Sequence, residues 1–266
     1  MVLHPLYDPS KGQMRIAGLM SGSGSNLRKI IEFEHTLQQE RGIAPFHLAL
    51  IFSDRYNSNA ALIGKDHDLP VIIRDIAGFY KKKGRPFRDL EARAEFDADT
   101  AQRLTQEGIR IAAFGGYMSI ATAPLTNTVL CVNVHPADLR LMNGDKRRYT
   151  GDEAVRDAIL DGEKTLRSST HLIEDPEKTQ VDYGRLFMVS EPLPVALLEG
   201  FDRNDSEQVK TVTNAHQDQL KKVGDWVIFP RTLFHIAQGD FAFDEAGVLH
   251  FKGQPIPQGV EYHGDS

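Results

Sequence analysis

Three polar residues in apolar surroundings carry the clearest chemistry in this chain. The segment Leu130-Cys131-Val132-Asn133-Val134-His135-Pro136 reads as a buried β-strand. Side chains alternate along a strand, so Asn133 and His135 share one side, near the strand's C-terminal end. Burying an amide or an imidazole without partners costs on the order of 1–3 kcal/mol each, so two of them at one strand end need a reason. A structural reason is that the pair hydrogen-bonds neighbouring loops. A chemical reason is that an amide donor beside an imidazole suits a developing oxyanion. Such chemistry also needs a group that handles a proton. Asp182, in Asp182-Tyr183-Gly184 ahead of a later strand, is the candidate, although Asp-x-Gly also makes an ordinary turn.

A second feature is Ser21-Gly22-Ser23-Gly24-Ser25-Asn26-Leu27, placed between an apolar run and a helical pattern. Such a turn lets backbone N–H groups and a helix N-terminus converge on an anion. It is not a dinucleotide fingerprint, because Leu27 stands where the third glycine belongs, and the Gly-Lys-Ser/Thr ending of a Walker loop is absent. Two readings stay open: a phosphate-binding loop, or a tight turn capped by Ser25 or Asn26.

The elements that must position these residues alternate. Strands are expected over 14–20, 47–53, 70–76, 109–114 and 129–134, with helices over 26–39, 59–67 and 87–107. Strand alternating with helix implies a parallel sheet with right-handed crossovers, buried on both faces. In such sheets ligands bind outside the C-terminal strand ends. Further on, a helix over 152–160, strands over 168–173 and 185–189, a long helix over 206–237 and a closing hairpin (241–243 with 248–251) complete the pattern. Residues 1–13 read as an extension ahead of a single domain over 14–266. The charge run 81–85 reads as a solvated loop, with a lid or anion contact as the alternative.

Composition narrows the function class. At 266 residues, 41% hydrophobic and 26% charged, the chain is an ordinary globular one. A net charge of -6 argues against nucleic acid as partner. The single cysteine, Cys131, leaves no intramolecular disulfide and no cysteine-rich zinc cluster. No His/Asp/Glu cluster has metal-ligand spacing, and His4, His35, His47, His67 and His250 read as surface or packing residues. No signal peptide or membrane span is apparent, so the expected setting is cytoplasmic, as a monomer or homodimer.

In combination and in order, these motifs resemble the formyltransferase family. The resemblance covers roughly residues 14–260: the 21–27 loop, Gly116-Tyr117-Met118, Asn133-Val134-His135-Pro136, Val181-Asp182-Tyr183-Gly184, and Gly253-Gln254-Pro255-Ile256-Pro257-Gln258-Gly259. It implies a Rossmann-like α/β fold, a mostly parallel twisted sheet with helices on both faces and a C-terminal hairpin. It implies Asn133, His135 and Asp182 as the catalytic residues, and Gly24, Ser25, Asn26, Met118 and Pro136 as acceptor contacts. Ser119, Ile120, Ala121 and Val181 would lie against the co-substrate, 10-formyltetrahydrofolate, with no metal required. The activity implied is formyl transfer to the amine of a small phosphorylated acceptor, with the glycinamide ribonucleotide enzymes of purine synthesis as the nearest members.

The chain departs from the family pattern at several places. Ser119 stands where those enzymes usually carry arginine, 137–140 and 152–155 differ, and the 174–180 loop is longer than the usual acidic turn. An acidic acceptor contact would fall near Asp225. Alternatives are transfer to another amine such as an amino-sugar nucleotide, formyl-folate hydrolysis, a catalytically weak folate-binding protein, and a nucleotide-dependent oxidoreductase that would leave Asn133 and His135 unexplained. A hydrolase of this type would carry an added N-terminal domain, for which the segment before Met14 has no room.

Overall fold

The structure, a computed structural model, describes residues 2–177 and 179–264. One residue of the expected 174–180 loop, Lys178, and the first residue of the extension therefore lie outside the described residues. At the centre is an eight-stranded sheet. β2 (Met14–Met20), β3 (Phe46–Ser53), β4 (Val71–Ile73), β5 (Ile111–Phe114) and β6 (Leu130–His135) run parallel, in the spatial order β6-β5-β2-β3-β4. β10 (Ser169–Leu172) adds antiparallel to β6, followed by β11 (Leu186–Val189) and β16 (Val260–Glu261). Two short antiparallel pairs complete this half: the hairpin of β7 (Met142–Asn143) with β8 (Lys146–Arg147), and β9 (Thr165–Leu166) with β12 (Leu193–Pro194).

From β2 the chain winds outward through α1 (Ser25–Arg41), β3 and α2 (Ala60–His67) to β4. It then returns through α3 (Ile76–Lys83) and α4 (Leu90–Gln106) to β5 on the other side, before α5 (Ala123–Thr126) leads into β6. The strand order therefore reverses between β2 and β5, where a crevice opens at the C-terminal ends. Both faces are covered. Ile16, Ile51, Ile111 and Val132 pack under α1 and α8 (Trp226–Ala237), while Leu19, Phe52, Phe114 and Cys131 pack under α3 and α4. A smaller cluster joins α6 (Ala154–Asp161) to α7 (Ser206–Leu220).

The helix after the first strand comes unusually close to the sheet, and two glycines on the strand side allow it. A Cβ on Gly18 would lie 2.8 Å from the Leu27 methyls, and one on Gly115 would lie 2.7 Å from the same side chain. Leu27 is fully buried there. Close helix–sheet contact, which the dinucleotide motif obtains from a third glycine on the helix, is reached here by a leucine seated over glycines of the sheet.

Several sequence expectations are corrected. The strand expected over 70–76 ends at Ile73, because Asp75 caps α3 by accepting from the Gly78 N–H. The run 81–85 is exposed but begins as helix: Lys81, Lys82 and Lys83 form the last turn of α3, where cations meet the negative end of the helix dipole. The long helix over 206–237 is interrupted by a five-residue π-helical turn, Lys221–Asp225. The extension contributes β1 (Leu3–Pro5), which pairs with β13 (Phe241–Asp244). With β14 (Leu249–Phe251) and β15 (Gln254–Pro255), these form a four-stranded antiparallel sheet that contains the expected hairpin. Among the described residues no helix is long and apolar enough to cross a membrane.

The Leu27 seat yields a test. Gly18→Ala should lower stability by about 1–3 kcal/mol through overpacking. Adding Leu27→Ala to it should cost less than Leu27→Ala costs in the wild-type background, as measured by urea unfolding.

Candidate active site

The crevice at the strand-order reversal holds a cavity of about 470 Å³, within the range of small-molecule sites. Its lining contains every expected site residue: Asn133, His135 and Asp182; Gly24, Ser25, Asn26, Met118 and Pro136; Ser119, Ile120, Ala121 and Val181. The loop after β2 and the loop after β5 are tied together. Ser21 N–H donates to the Gly116 carbonyl at 3.0 Å, and Met118 N–H donates to Ser21 Oγ at 2.9 Å. Met118 and Val181 are exposed apolar side chains on the rim.

Asn133 and His135 close the end of β6, as the alternation requires. His135 is 6% exposed. Its Nε2–H donates to the Tyr149 carbonyl at 3.0 Å, and its Nδ1 lies 3.7 Å from Asp182 Oδ2. Burial pulls the His135 pKa below the ordinary histidine value, and Asp182 only partly offsets this. A carboxylate able to support a charge on the ring stands beside it.

Asp182 adopts a left-handed conformation, with φ of 61°, a strained choice that aspartate tolerates better than most residues. That turn aims the carboxylate back under β6 and β10. Burial by itself would raise its pKa. The hydrogen bond with His171, the neighbouring His135 and His171, and the Gly151 N–H (2.9 Å) outweigh burial and hold the carboxyl well below the usual carboxylate range.

The expected trio has a fourth member that the sequence did not reveal. His171 on β10 stands directly across the ladder from Asn133. Its Nδ1 donates to the Leu172 carbonyl at 3.0 Å, while its Nε2 lies 3.1 Å from the Asn133 amide and 3.4 Å from Asp182 Oδ1. When neutral, the ring accepts from Asn133; when protonated, it donates to Asp182. The signal was a lone imidazole within a four-residue, fully buried strand.

Arg147 was missed as well. Its side chain donates to the carbonyls of Asp182 and Gly184, its backbone N–H donates to Tyr183 Oη, and its guanidinium lies 5.6 Å from the centre of the Tyr183 ring. It braces the aspartate loop from β8. Gly184 follows for a steric reason: a Cβ there would lie 1.7 Å from the Leu172 carbonyl oxygen.

At the opposite end of the cavity, the π-helical turn brings Asp225 beside the 22–26 loop, with Gln217 and Lys221 nearby. Burial pushes the Asp225 carboxyl up to about 6, against hydrogen bonds from Ser168 and Asn26. Ser168 Oγ donates to it at 2.5 Å. At position 119, Ser119 Oγ donates to the buried Asp54 at 2.5 Å. No group of three or more His, Cys, Asp or Glu among the described residues could hold a metal ion.

No family model matches the chain. Comparison with solved structures places the fold in one class. The chain superposes on phosphoribosylglycinamide formyltransferase of Coxiella burnetii with a TM-score of 0.66, covering 94% of this chain and 100% of that one at 20% identity. It superposes on glycinamide ribonucleotide transformylase 1 of Symbiobacterium toebii with a TM-score of 0.64, covering 90% and 94% at 24% identity. The architecture is that of the formyltransferases.

Sequence comparison finds relatives at low identity. Phosphoribosylglycinamide formyltransferase of Haemophilus influenzae is 23% identical over 246 residues, 92% of this chain and 96% of that protein. The trifunctional purine biosynthetic protein adenosine-3 of Drosophila melanogaster is 24% identical over 232 residues, and the chain spans 14% of its length.

The buried imidazole sets a pH window. A histidine whose folded pKa lies below its ordinary value of about 6.5 contributes stability that is complete above that pH and is lost as pH falls below it. The unfolding midpoint should therefore drop between pH 7.5 and 5.5, and His135→Gln should flatten that drop. The depressed Asp182 carboxyl contributes in a separate window, below about pH 4.

Proposed function

We propose that this chain is a formyltransferase, moving a formyl group from 10-formyltetrahydrofolate to the primary amine of a small phosphorylated acceptor, with glycinamide ribonucleotide as first choice. The observation that carries this reading is the convergence, on one cavity at the strand-order reversal, of Asn133, His135, His171 and Asp182 at one end and the 22–26 loop with Asp225 at the other. The phosphoribosylglycinamide formyltransferases that the chain resembles over nearly its whole length support the choice of acceptor.

In this reading the 22–26 loop holds the acceptor phosphate at the start of α1, and Asp225 accepts from acceptor hydroxyls. The walls formed by 118–121 and Val181 hold the pterin. Asn133 donates its amide N–H to the oxyanion that forms as the amine attacks the formyl carbon, and a positive charge on His135 adds electrostatic stabilisation, since both of its ring nitrogens are directed at Tyr149 and Asp182. Asp182, held ionised, is a weak base. Its part is to stabilise positive charge on His135 and His171, so that an imidazole, through water, takes the proton leaving the amine and returns it to the folate nitrogen. The bond between the formyl carbon and that nitrogen then breaks, giving formylated acceptor and tetrahydrofolate.

The deciding assay incubates the protein with 10-formyltetrahydrofolate and glycinamide ribonucleotide and follows both products by mass spectrometry. Formylated acceptor together with tetrahydrofolate is the expected result. Tetrahydrofolate with free formate would identify hydrolysis instead, and folate binding without turnover on any amine would remove the enzymatic reading.

Asp182→Asn should keep the fold and folate binding while losing turnover by about 10²-fold or more, the scale of deleting one oxyanion-stabilising group. Near-normal turnover in a folded Asp182→Asn protein would reduce that aspartate to a turn former.

A further inference from the structure

Beside the candidate active site lies a second cavity, of about 430 Å³, between α6 and α7. It shares Asp152 and Gln217 with the first. Three cations line it, Arg156, Arg203 and Lys210, against the carboxylates of Asp152 and Glu153. Arg156 lies 3.8 Å from Glu153 and 3.5 Å from Asp157. Arg203 and Lys210 form no ion pair among the described residues. Thr213 also lines the cavity, and its Oγ1 is buried with no hydrogen-bond partner.

Unpaired cations usually point outward into water. Here two exposed ones line a concave site, and concave walls concentrate the field of such charges. A guanidinium fork and an ammonium together match the several acceptor oxygens of a phosphate, with the arginine able to donate two parallel hydrogen bonds. The walls are firmly placed, because α6 and α7 pack through Val155, Ile159 and Val212.

We propose that this cavity binds a phosphate group distinct from the one assigned to the 22–26 loop. The inference rests on the proposed function only in treating the neighbouring cavity as the acceptor site. Because Gln217 lines both cavities, the phosphate can be the far arm of an acceptor that fills the two together, or belong to a separate phosphorylated ligand.

The test titrates pyrophosphate, in magnesium-free buffer at low ionic strength, into the full chain already saturated with glycinamide ribonucleotide. One pyrophosphate should bind per chain without displacing the ribonucleotide. The Arg203→Ala/Lys210→Ala protein should bind it at least ten-fold more weakly while turning over glycinamide ribonucleotide at the wild-type rate. Pyrophosphate that binds only by displacing the ribonucleotide, or binds equally to the double variant, overturns the inference.

If glycinamide ribonucleotide does not bind, the proposed acceptor fails on its own. The second site is then read in the free protein, where the double variant must lose one of two pyrophosphate sites. Turnover measured with the cavity filled separates the sources, and both results support the site: unchanged turnover marks an arm of a larger acceptor, and altered turnover marks a separate effector.

Discussion

A buried carboxylate between two buried imidazoles is the interaction on which the rest of this site depends. Asp182 lies 3.7 Å from His135 and 3.4 Å from His171. Taking a carboxylate out of water is expensive unless it is paired and hydrogen-bonded. The chain meets that cost with groups from several elements: two histidines on adjacent strands, the Gly151 N–H, and Arg147 holding the loop by its carbonyls. Each partner is fixed by a different part of the fold, so the geometry is a property of the whole sheet and not of the Asp-x-Gly turn. The left-handed backbone at Asp182 fits this account, since strain persists where the surroundings over-determine a conformation.

The ionised state of that carboxylate divides the labour within the site. A group held below the usual carboxylate range keeps its charge through any plausible working pH, which makes it a good electrostatic support and a poor proton acceptor. His135 is the complement: burial pulls its pKa below the ordinary histidine value, and the anion beside it partly offsets that pull. At the other end of the cavity Asp225 is shifted the opposite way, toward 6, by burial against Ser168 and Asn26. One cavity thus holds two carboxylates with opposite perturbations, each imposed by its own surroundings.

Much of this was legible in the sequence because it rests on local pattern. Apolar runs marked the parallel strands, glycine and serine marked the turn after β2, and alternation placed Asn133 and His135 on one side of β6. The unread parts depend on register and on irregular backbone. His171 meets Asn133 only because β10 pairs antiparallel to β6 in one particular alignment, and a single sequence does not display that alignment. Arg147 acts from a two-residue strand with no periodicity of its own. The π-helical turn at Lys221–Asp225 shifts the helix phase without breaking its composition, so residues 206–237 read as one helix although Asp225 reaches the cavity only through the irregularity. The divergent stretch around 137–140 has a structural account: Arg140 bonds Asp138 and reaches Glu261 at 2.9 Å, fastening the loop after β6 to the edge strand β16.

The small sheet that joins β1 to β13 has a kinetic meaning beyond its geometry. Leu3 pairs with Asp244 and Pro5 with Ala242, so a three-residue strand depends on a contact between opposite ends of the described chain. Ordering these residues for a few hydrogen bonds carries an entropy cost, and it is offset only once β13 and β14 already stand on the folded core. This strand is then a late arrival in folding and an early departure in unfolding. Its amides would exchange with solvent through local opening while the central sheet stays protected. Residues 3–5 therefore report on the completeness of the fold around them.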